Sequence, residues 1–570
     1  MHETVVVTGF PEPTPLEEAD RNISVIALPR TERPLYDSWF SLLQLDPSLN
    51  LLQRSPGGFI GDLSIRGATY GQTLVLVDGM RINDAQTGHF HLDAPLPLEA
   101  ITSVEVLKGS GSTLYGSDAI GGVVNIRTRT FETPEFRILG SGGSFGANQQ
   151  HVSASTGGKF ISEEINFARD FTRGFQANRD YRNLALSSLT GFHLKPGAGS
   201  LLLAYSDRPF GADQFYGAYP SWERAKTWFG SLHQHLGSKT EIGLAYRRHT
   251  DLFVLYRYSP QIYTNRHLLD SWQGNLRRHD NVGRGVLSYG VEGLSEAIQS
   301  TNLGVRSRKR GSGYAFYDVR ALKRFSFSAG IREEVYGSGL VATSPSLSGA
   351  AWLNPRIKLR GSVSRAFRLP TYTDLYYSDP ANRGNPNLKH ETATNYEAGV
   401  DTYLHEGVRA SVTLFQRRDR NVIDYVRAAP TDVWQATNFD SLNFTGVEAF
   451  GEFQPARGQT LRMSFAGLHG VRAGQNVLLS KYTFNYPVQS GVAEWRGMIH
   501  GSIAARTRVG AVSRLNRSPY AVWDTSATWA KGRFRPFGQI ANITSTTYQE
   551  IPGIALPGRT FMGGVEIVLR

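Results

Sequence analysis

Between Asn83 and Asp93 the chain sets Asn83, Asp84, Gln86, Thr87, His89, His91 and Asp93 in one polar segment, with Tyr70 shortly before it. His89 and His91 occupy alternate positions, and two imidazoles so spaced can touch a metal carried inside a substrate. Two such ligands are too few for a resident ion, so no protein-bound metal is expected. Tyr70, Asn83, Gln86, Thr87, His89 and His91 together offer donors and acceptors suited to a large polar macrocycle with an apolar rim. A second set is aromatic: Phe210, Phe215, Tyr216, Tyr219 and Trp222 in one segment, Tyr372, Tyr376 and Tyr377 in another. Phe215, Tyr216, Tyr372 and Tyr376 are the candidate grips there, because rigid amphipathic rings hold a planar ligand at low entropic cost. An aromatic girdle at a membrane interface is the competing role.

Catalytic patterns are missing. Gly109-Ser110-Gly111-Ser112-Thr113-Leu114-Tyr115-Gly116 lacks the Lys-Ser/Thr of a phosphate loop. No serine elbow, His-Glu-x-x-His pair or paired-carboxylate motif occurs, so the chain is expected to be neither an enzyme nor a cofactor carrier. The count of zero cysteines removes zinc-ribbon, iron–sulfur, disulfide and cysteine-nucleophile chemistry. The charge is +12, from 61 Lys+Arg against 49 Asp+Glu. These positive residues are dispersed rather than grouped for nucleic acid. They fit solvated loops and lipopolysaccharide contact, and would suit an anionic ligand.

The elements that must carry these residues are strands. No apolar run approaches the ~18 to 20 residues of a membrane-spanning helix, while 60 Gly, 25 Tyr and 30 Phe favour strands and turns. After Phe131 the chain shows repeated dyad alternation. Ala410, Val412 and Leu414 alternate with Ser411, Thr413 and Phe415; Leu461, Met463 and Phe465 with Arg462 and Ser464; Val447, Ala449 and Phe453 with Glu448, Phe450 and Glu452. One apolar and one polar face is what a strand between lipid and lumen requires. Turns at 195–199, 237–239 and 405–407 are short, whereas 207–224, 256–278 and 372–389 read as long loops. Residues 132–570, at about 20 per strand with its half-loops, give about 22 strands.

The N-terminal part reads differently. Glu3-Thr4-Val5-Val6-Val7-Thr8-Gly9 is β-prone and is followed by Pro11, Pro13 and Pro15. Because proline cannot donate to a ladder, that run is expected to stay a free, edge-forming peptide. Leu35, Trp39, Leu42 and Leu43 recur at helical spacing until Asp46-Pro47, which predicts a small amphipathic helix. Residues 54–62 and 83–93 are polar loops.

Short β-rich runs closed by glycine follow one another from Ser64-Ile65-Arg66-Gly67 through Leu74–Met80 and Ser103–Gly109 to Leu114–Ile126. In this order they resemble the plug domain of TonB-dependent outer-membrane receptors. Phe367-Arg368-Leu369-Pro370, Leu375-Tyr376, Gly384–Leu388 and Glu391 resemble a strand, outer loop and returning strand of that family, and Asn443, Gly446-Val447-Glu448, Asn542, Tyr548 and Pro557-Gly558-Arg559 its late barrel. The alternation of Phe561, Gly563, Val565, Ile567 and Leu569 suits a closing strand. Family chains usually end on an aromatic residue, and this one ends Leu569-Arg570.

The resemblance implies an all-β transmembrane protein: an antiparallel outer-membrane barrel of about 22 strands with a small N-terminal α+β plug in its lumen. It implies a TonB box in 1–10, a plug in 11–131 and a barrel in 132–570. Glu3, Thr4, Val5, Val6, Val7 and Thr8 would be the residues that pair with TonB by strand addition, drawing on its proton-driven inner-membrane complex. The protein would be a monomer in the outer membrane of a Gram-negative bacterium. Since Met1-His2-Glu3-Thr4 opens without an export signal, the numbering is expected to start at a mature or truncated end with a start Met added. By position after matching strands, loops 55–62 and 83–93 face outward. The length, the Asp78-Gly79-Met80-Arg81-Ile82-Asn83 turn and the Leu114–Ile126 run look most like the cobalamin-receptor branch. A ferric siderophore is the alternative ligand, and haem is demoted because no His lies between Pro370 and Asn385. A binding or adhesion barrel without transport is the reading from another class, and the TonB-box-like segment argues against it.

Overall fold

The dyad pattern becomes the wall of a barrel. In the computed structural model, which describes residues 5–6, 8–129, 133–322, 324–337, 339–405, 407–473 and 479–569, the strand Val408–Arg427 shows how. Val412 and Leu414 are 49% and 59% exposed on the outside, while Thr413 and Phe415 are 1% and 7% exposed in the lumen. Period two puts alternate residues on opposite faces, so one sequence serves lipid and plug at once.

Among the described residues twenty-two antiparallel strands cross from Glu135–Gly143 to Thr560–Leu569, with short additions at Leu340–Thr343, Asn382–Arg383 and Leu479–Ser480. The last strand pairs with the first, Leu569 opposite Phe136 and Met562 opposite Gly143. Closure leaves no unpaired edge, which is the condition for a sheet to sit in lipid.

Two of the three expected long loops are shorter than the sequence suggested. Strands Gly197–Asp213 and Pro220–Leu236 consume most of 207–224, and Thr264–Val282 consumes much of 256–278. The strands run to 17 and 19 residues, well past the ~10 that lipid demands, because a ladder can continue into water when its side chains turn polar. The segment 372–389 is a genuine loop, opened by the helix Tyr372–Tyr376.

Inside the wall lies a five-stranded sheet in the order Ile23–Ala27, Ile101–Lys108, Gly122–Thr128, Thr73–Val77, Met80–Arg81, beside the hairpin Leu49–Gln53/Gly61–Ile65. Thr73–Val77 runs parallel to Gly122–Thr128 and is wholly buried. Asp78 and Gly79 both take positive φ, 48° and 83°, as a two-residue I′ hairpin turn requires. Asp78 then accepts from the Thr128 backbone N–H at 3.0 Å, fixing the sheet where the chain leaves for the wall. The expected amphipathic helix shrinks to a 3-10 turn at Arg33–Leu35 and one α-turn at Phe40–Leu43. Trp39, Leu42 and Leu43 are nonetheless buried as their spacing implied. The expected boundary at 131/132 falls outside the described residues.

Candidate ligand mouth and coupling segment

His89 sits at the outward tip of the lumenal domain because the 3-10 turn Gly88–Phe90 follows the loop at 83–87. Its ring stacks on Tyr70, centroids 4.5 Å apart. Tyr70 is held by its own turn, where Thr69 and Gln72 form a reciprocal cap. Behind them Asp62 accepts from Arg54 at 2.9 Å and meets His89 Nδ1 at 2.8 Å. Burial opposes ionisation of Asp62, but Arg54 and His89 hold its carboxyl far below the usual range.

Three of the expected contact residues are turned inward instead. His91 is 4% exposed, against Asn83 at 3.1 Å and the Tyr70 carbonyl at 3.2 Å. Burial pushes its pKa down to about 4 despite the carboxylates of Asp118 and Asp84. Asn83 spans the sheet, accepting from Val75 N at 2.7 Å and donating to the Thr73 carbonyl at 3.0 Å. The Gln86 side chain donates to Asp251 of the wall at 3.2 Å, and the Gln86 backbone carbonyl accepts from Thr373 N at 3.0 Å. Thr87 is half-buried.

The aromatic set divides likewise. Phe215 packs with Phe59, Tyr181 and Phe210, joining loop 55–62 to the wall. Tyr372 wedges between Ala85 and the wall residues Leu269 and Ile298. Tyr216 stays 40% exposed, its hydroxyl donating to Glu223 at 2.7 Å. Half-buried Tyr376 lies under Arg306, 4.2 Å from its ring centroid.

Residues the sequence reading passed over complete the mouth. Tyr482 meets Tyr70 edge-on at 5.2 Å and lies 5.9 Å from the His89 ring. Lys481 places its ammonium 5.4 to 5.9 Å from the rings of Tyr425, Trp434 and Tyr482. Arg427 stacks over Trp434 at 4.2 Å. Asp424 builds this corner by accepting from the backbone N–H of Thr483 at 2.8 Å and of Tyr482 at 3.2 Å. The legible sign was Lys481-Tyr482 leading an aromatic-rich run. Among the described residues neither Lys481 nor Arg427 has a carboxylate partner. Two cations thus lie on aromatic faces at the mouth, an arrangement chemically able to meet an anion that carries rings.

At the other end, the expected free peptide is folded back. Val6 pairs with Thr14 and Val5 with Pro15, because a proline that cannot donate still offers its carbonyl and Thr14 supplies the rest. Val6 is 0% exposed. Thr8 N donates to Glu105 at 2.8 Å, and Asn125 donates to the Thr8 hydroxyl at 2.9 Å. Glu3, Thr4 and Val7 of the expected TonB box lie outside the described residues.

Comparison with known proteins places this geometry. Residues 15–123 match the TonB-dependent receptor plug domain and residues 117–543 the TonB-dependent receptor-like β-barrel. The chain belongs to the TonB-dependent receptors, outer-membrane transport proteins of Gram-negative bacteria rather than enzymes. Among its relatives are the vitamin B12 transporter BtuB of Photobacterium profundum, 24% identical over 477 residues and 77% of each chain. The iron-regulated outer membrane virulence protein of Vibrio cholerae is 26% identical over 596 aligned positions, covering 93% of this chain and 89% of that one. The ferric enterobactin receptor of Pseudomonas aeruginosa shares the fold with a TM-score of 0.78 at 17% identity, over 99% of this chain and 100% of that one.

Proposed function

We propose that this receptor imports an anionic, ring-bearing ferric chelate of the siderophore class, gripped where Tyr70 and His89 meet Tyr482, Lys481, Trp434 and Arg427. The observation that carries this reading is the pair of cations, Lys481 and Arg427, lying on aromatic faces without carboxylate partners among the described residues. The relative described as iron-regulated and the enterobactin receptor of like fold support it. Coupling is assigned to residues 3–8, which pair with TonB once released, the monomer drawing its energy from the inner-membrane proton gradient. A corrinoid is the second reading, favoured by the Asp78–Asn83 turn and by the relatives described as vitamin B12 transporters.

Titration of the purified protein with a ferric tris-catecholate and, separately, with cyanocobalamin decides between them, read by quenching of tryptophan fluorescence. The ferric complex should saturate the signal. The double variant Lys481→Ala/Arg427→Ala should weaken it at least about tenfold, or about 1.4 kcal/mol. Saturation by cyanocobalamin alone overturns the ferric reading in favour of the corrinoid.

A further inference from the structure

Loop 83–93 meets the strand Thr240–Val254 of the wall in two different ways. Asp84 pairs with Arg247 at 2.8 Å and His249 at 2.7 Å, a junction of opposite charges. Two residues on, the Gln86 side chain donates to Asp251 at 3.2 Å, and Asp251 adjoins a second carboxyl, that of Glu223, within hydrogen-bonding reach. Glu223 in turn accepts from the Tyr216 hydroxyl at 2.7 Å. A bridge therefore runs from Tyr216, in the turn between the strands Gly197–Asp213 and Pro220–Leu236, to Gln86 of the lumenal domain. Its middle link is two acids side by side.

Both acids are buried, Glu223 at 2% and Asp251 at 5% exposure. Two carboxylates so placed cannot both stay ionised without a counter-charge. The surrounding cations are already matched: Arg54 with Asp62 at 2.9 Å, Arg208 with Asp93, Arg247 with Asp84, and farther out Arg179 with Asp213. His249 lies 2.7 Å from Asp84 and 3.3 Å from Asp93; burial opposes its charge, but these two carboxylates raise its pKa to about 9. His267, opposite Asp251 on the next strand, is neutral, because burial pushes its pKa down to about 4. Arg54, Arg208, Arg247 and protonated His249 thus balance Asp62, Asp93, Asp84 and one member of the pair. The other member has no cation left. Asp251 is that member, since its Oδ1 is buried with no donor among the described residues. Burial first, and then the Glu223 charge, push the Asp251 carboxyl well above the usual range. The alternate residues at this height, Arg224, Lys226 and Arg248, point outward and are charged, so the pair lies beyond the lipid band.

We propose that Asp251 keeps a proton and donates it to Glu223, and that this shared proton is a latch joining loop 83–93 to the turn at 214–219, released when the medium outside the cell turns alkaline. Without the proton two adjacent carboxylates repel one another. Gln86 and Tyr216, each bonded to one of them, are then parted, and the Gln86 end of loop 83–93 loosens at the mouth. The Asp84 junction does not depend on this proton and stays in place. The latch is read from the contacts of wall and loop alone and does not rest on the ferric reading.

Asp251→Asn makes the latch permanent, since an amide can donate to Glu223 while its carbonyl accepts from Gln86. One measurement reads the proton. The infrared difference spectrum between the native receptor and Asp251→Asn should show, at pH 7, a carbonyl band of a protonated carboxyl that fades as the pH is raised to 9. No band at pH 7, or a band that persists at pH 9, overturns the proposal. The other measurement reads the loop, using the absence of native cysteine. Thr87→Cys, next to Gln86, is introduced into the native and the Asp251→Asn receptor, and both are labelled on intact cells with an impermeant maleimide. The cysteine's own titration is common to both backgrounds, so the ratio of their rates reports the latch. That ratio should lie within about twofold of one at pH 6 and reach at least about tenfold in favour of the native background at pH 9. A smaller ratio at pH 9, or a larger one at pH 6, overturns the latch. Glu223→Gln, whose amide can donate to an ionised Asp251, guards against a folding defect particular to Asp251→Asn, with the compact band on unboiled gels marking folded receptor. It should match Asp251→Asn in both measurements, and native behaviour in Glu223→Gln overturns the shared proton.

Discussion

His89 and His91 are two positions apart, yet the turn at Gly88–Phe90 aims one ring at Tyr70 and buries the other beneath it. Spacing alone showed two imidazoles on a polar loop; which of them meets water depends on a packing partner some twenty residues away. The same holds for Asn83 and Gln86, polar in sequence but spent on the sheet and the wall. The burial of His91 has a pH consequence. Its folded pKa of about 4 lies below the ordinary 6.5, so an unfolded chain takes up a proton as pH falls through 6.5 while the folded one does not. The stability is complete above pH 6.5 and is lost progressively down to pH 4, by up to about 3 kcal/mol at 1.36 kcal/mol per unit. After the intrinsic pH dependence of amide exchange is divided out, the protection of residues 73–92 should therefore fall more between pH 7 and pH 4.5 in the native chain than in His91→Gln. Equal pH dependence in the two would contradict the inward assignment.

At the level of elements, the coupling segment and loop 83–93 are opposite cases. The strand at Val5–Val6 was legible, but its fold-back was not, because proline's missing donor is plain in the sequence and the use of its carbonyl is not. Val6 is buried by strand pairing, so the coupling proposed above requires that it first be peeled away. Val6→Pro removes a donor on which strand addition depends; uptake should be lost while ligand binding stays within about twofold, as read by transport and titration in parallel. Loop 83–93 is anchored far more firmly. Asp84→Ala would leave Arg247 and His249 buried without their shared carboxylate, at a cost of about 3 to 5 kcal/mol. That change should loosen the lumenal domain enough to raise single-channel conductance in planar bilayers and sensitivity to bulky hydrophilic antibiotics. Native conductance in Asp84→Ala would show that the Asp84 ion pairs are not the anchor.

For the whole molecule, the closed barrel was legible because alternation is a property of every strand and needs no knowledge of neighbours. Loop lengths were not, since polar alternation beyond the membrane looks the same whether the ladder continues or stops. The cluster proposed as the mouth was legible as a neighbourhood only on its plug side: Tyr70 and His89 lie near one another in sequence, while Tyr482, Trp434 and Arg427 join them through the fold of the wall. The alternation also carries an asymmetric prediction at neighbouring positions. Leu414 faces lipid and Thr413 the lumen, so the same arginine meets hydrocarbon at one and polar side chains at the other. Leu414→Arg should destabilise folding into bilayers by up to about 2 to 4 kcal/mol, according to its depth. Thr413→Arg should fold into the bilayer with less loss but disturb binding, because Thr413 accepts from Arg360 and lies beside Glu448 and Asn22 where wall and plug meet. Urea titration of refolding into vesicles, with the compact band on unboiled gels as the folded marker, separates the two. Equal losses at 413 and 414 would mean that this strand does not present alternate residues to lipid and lumen.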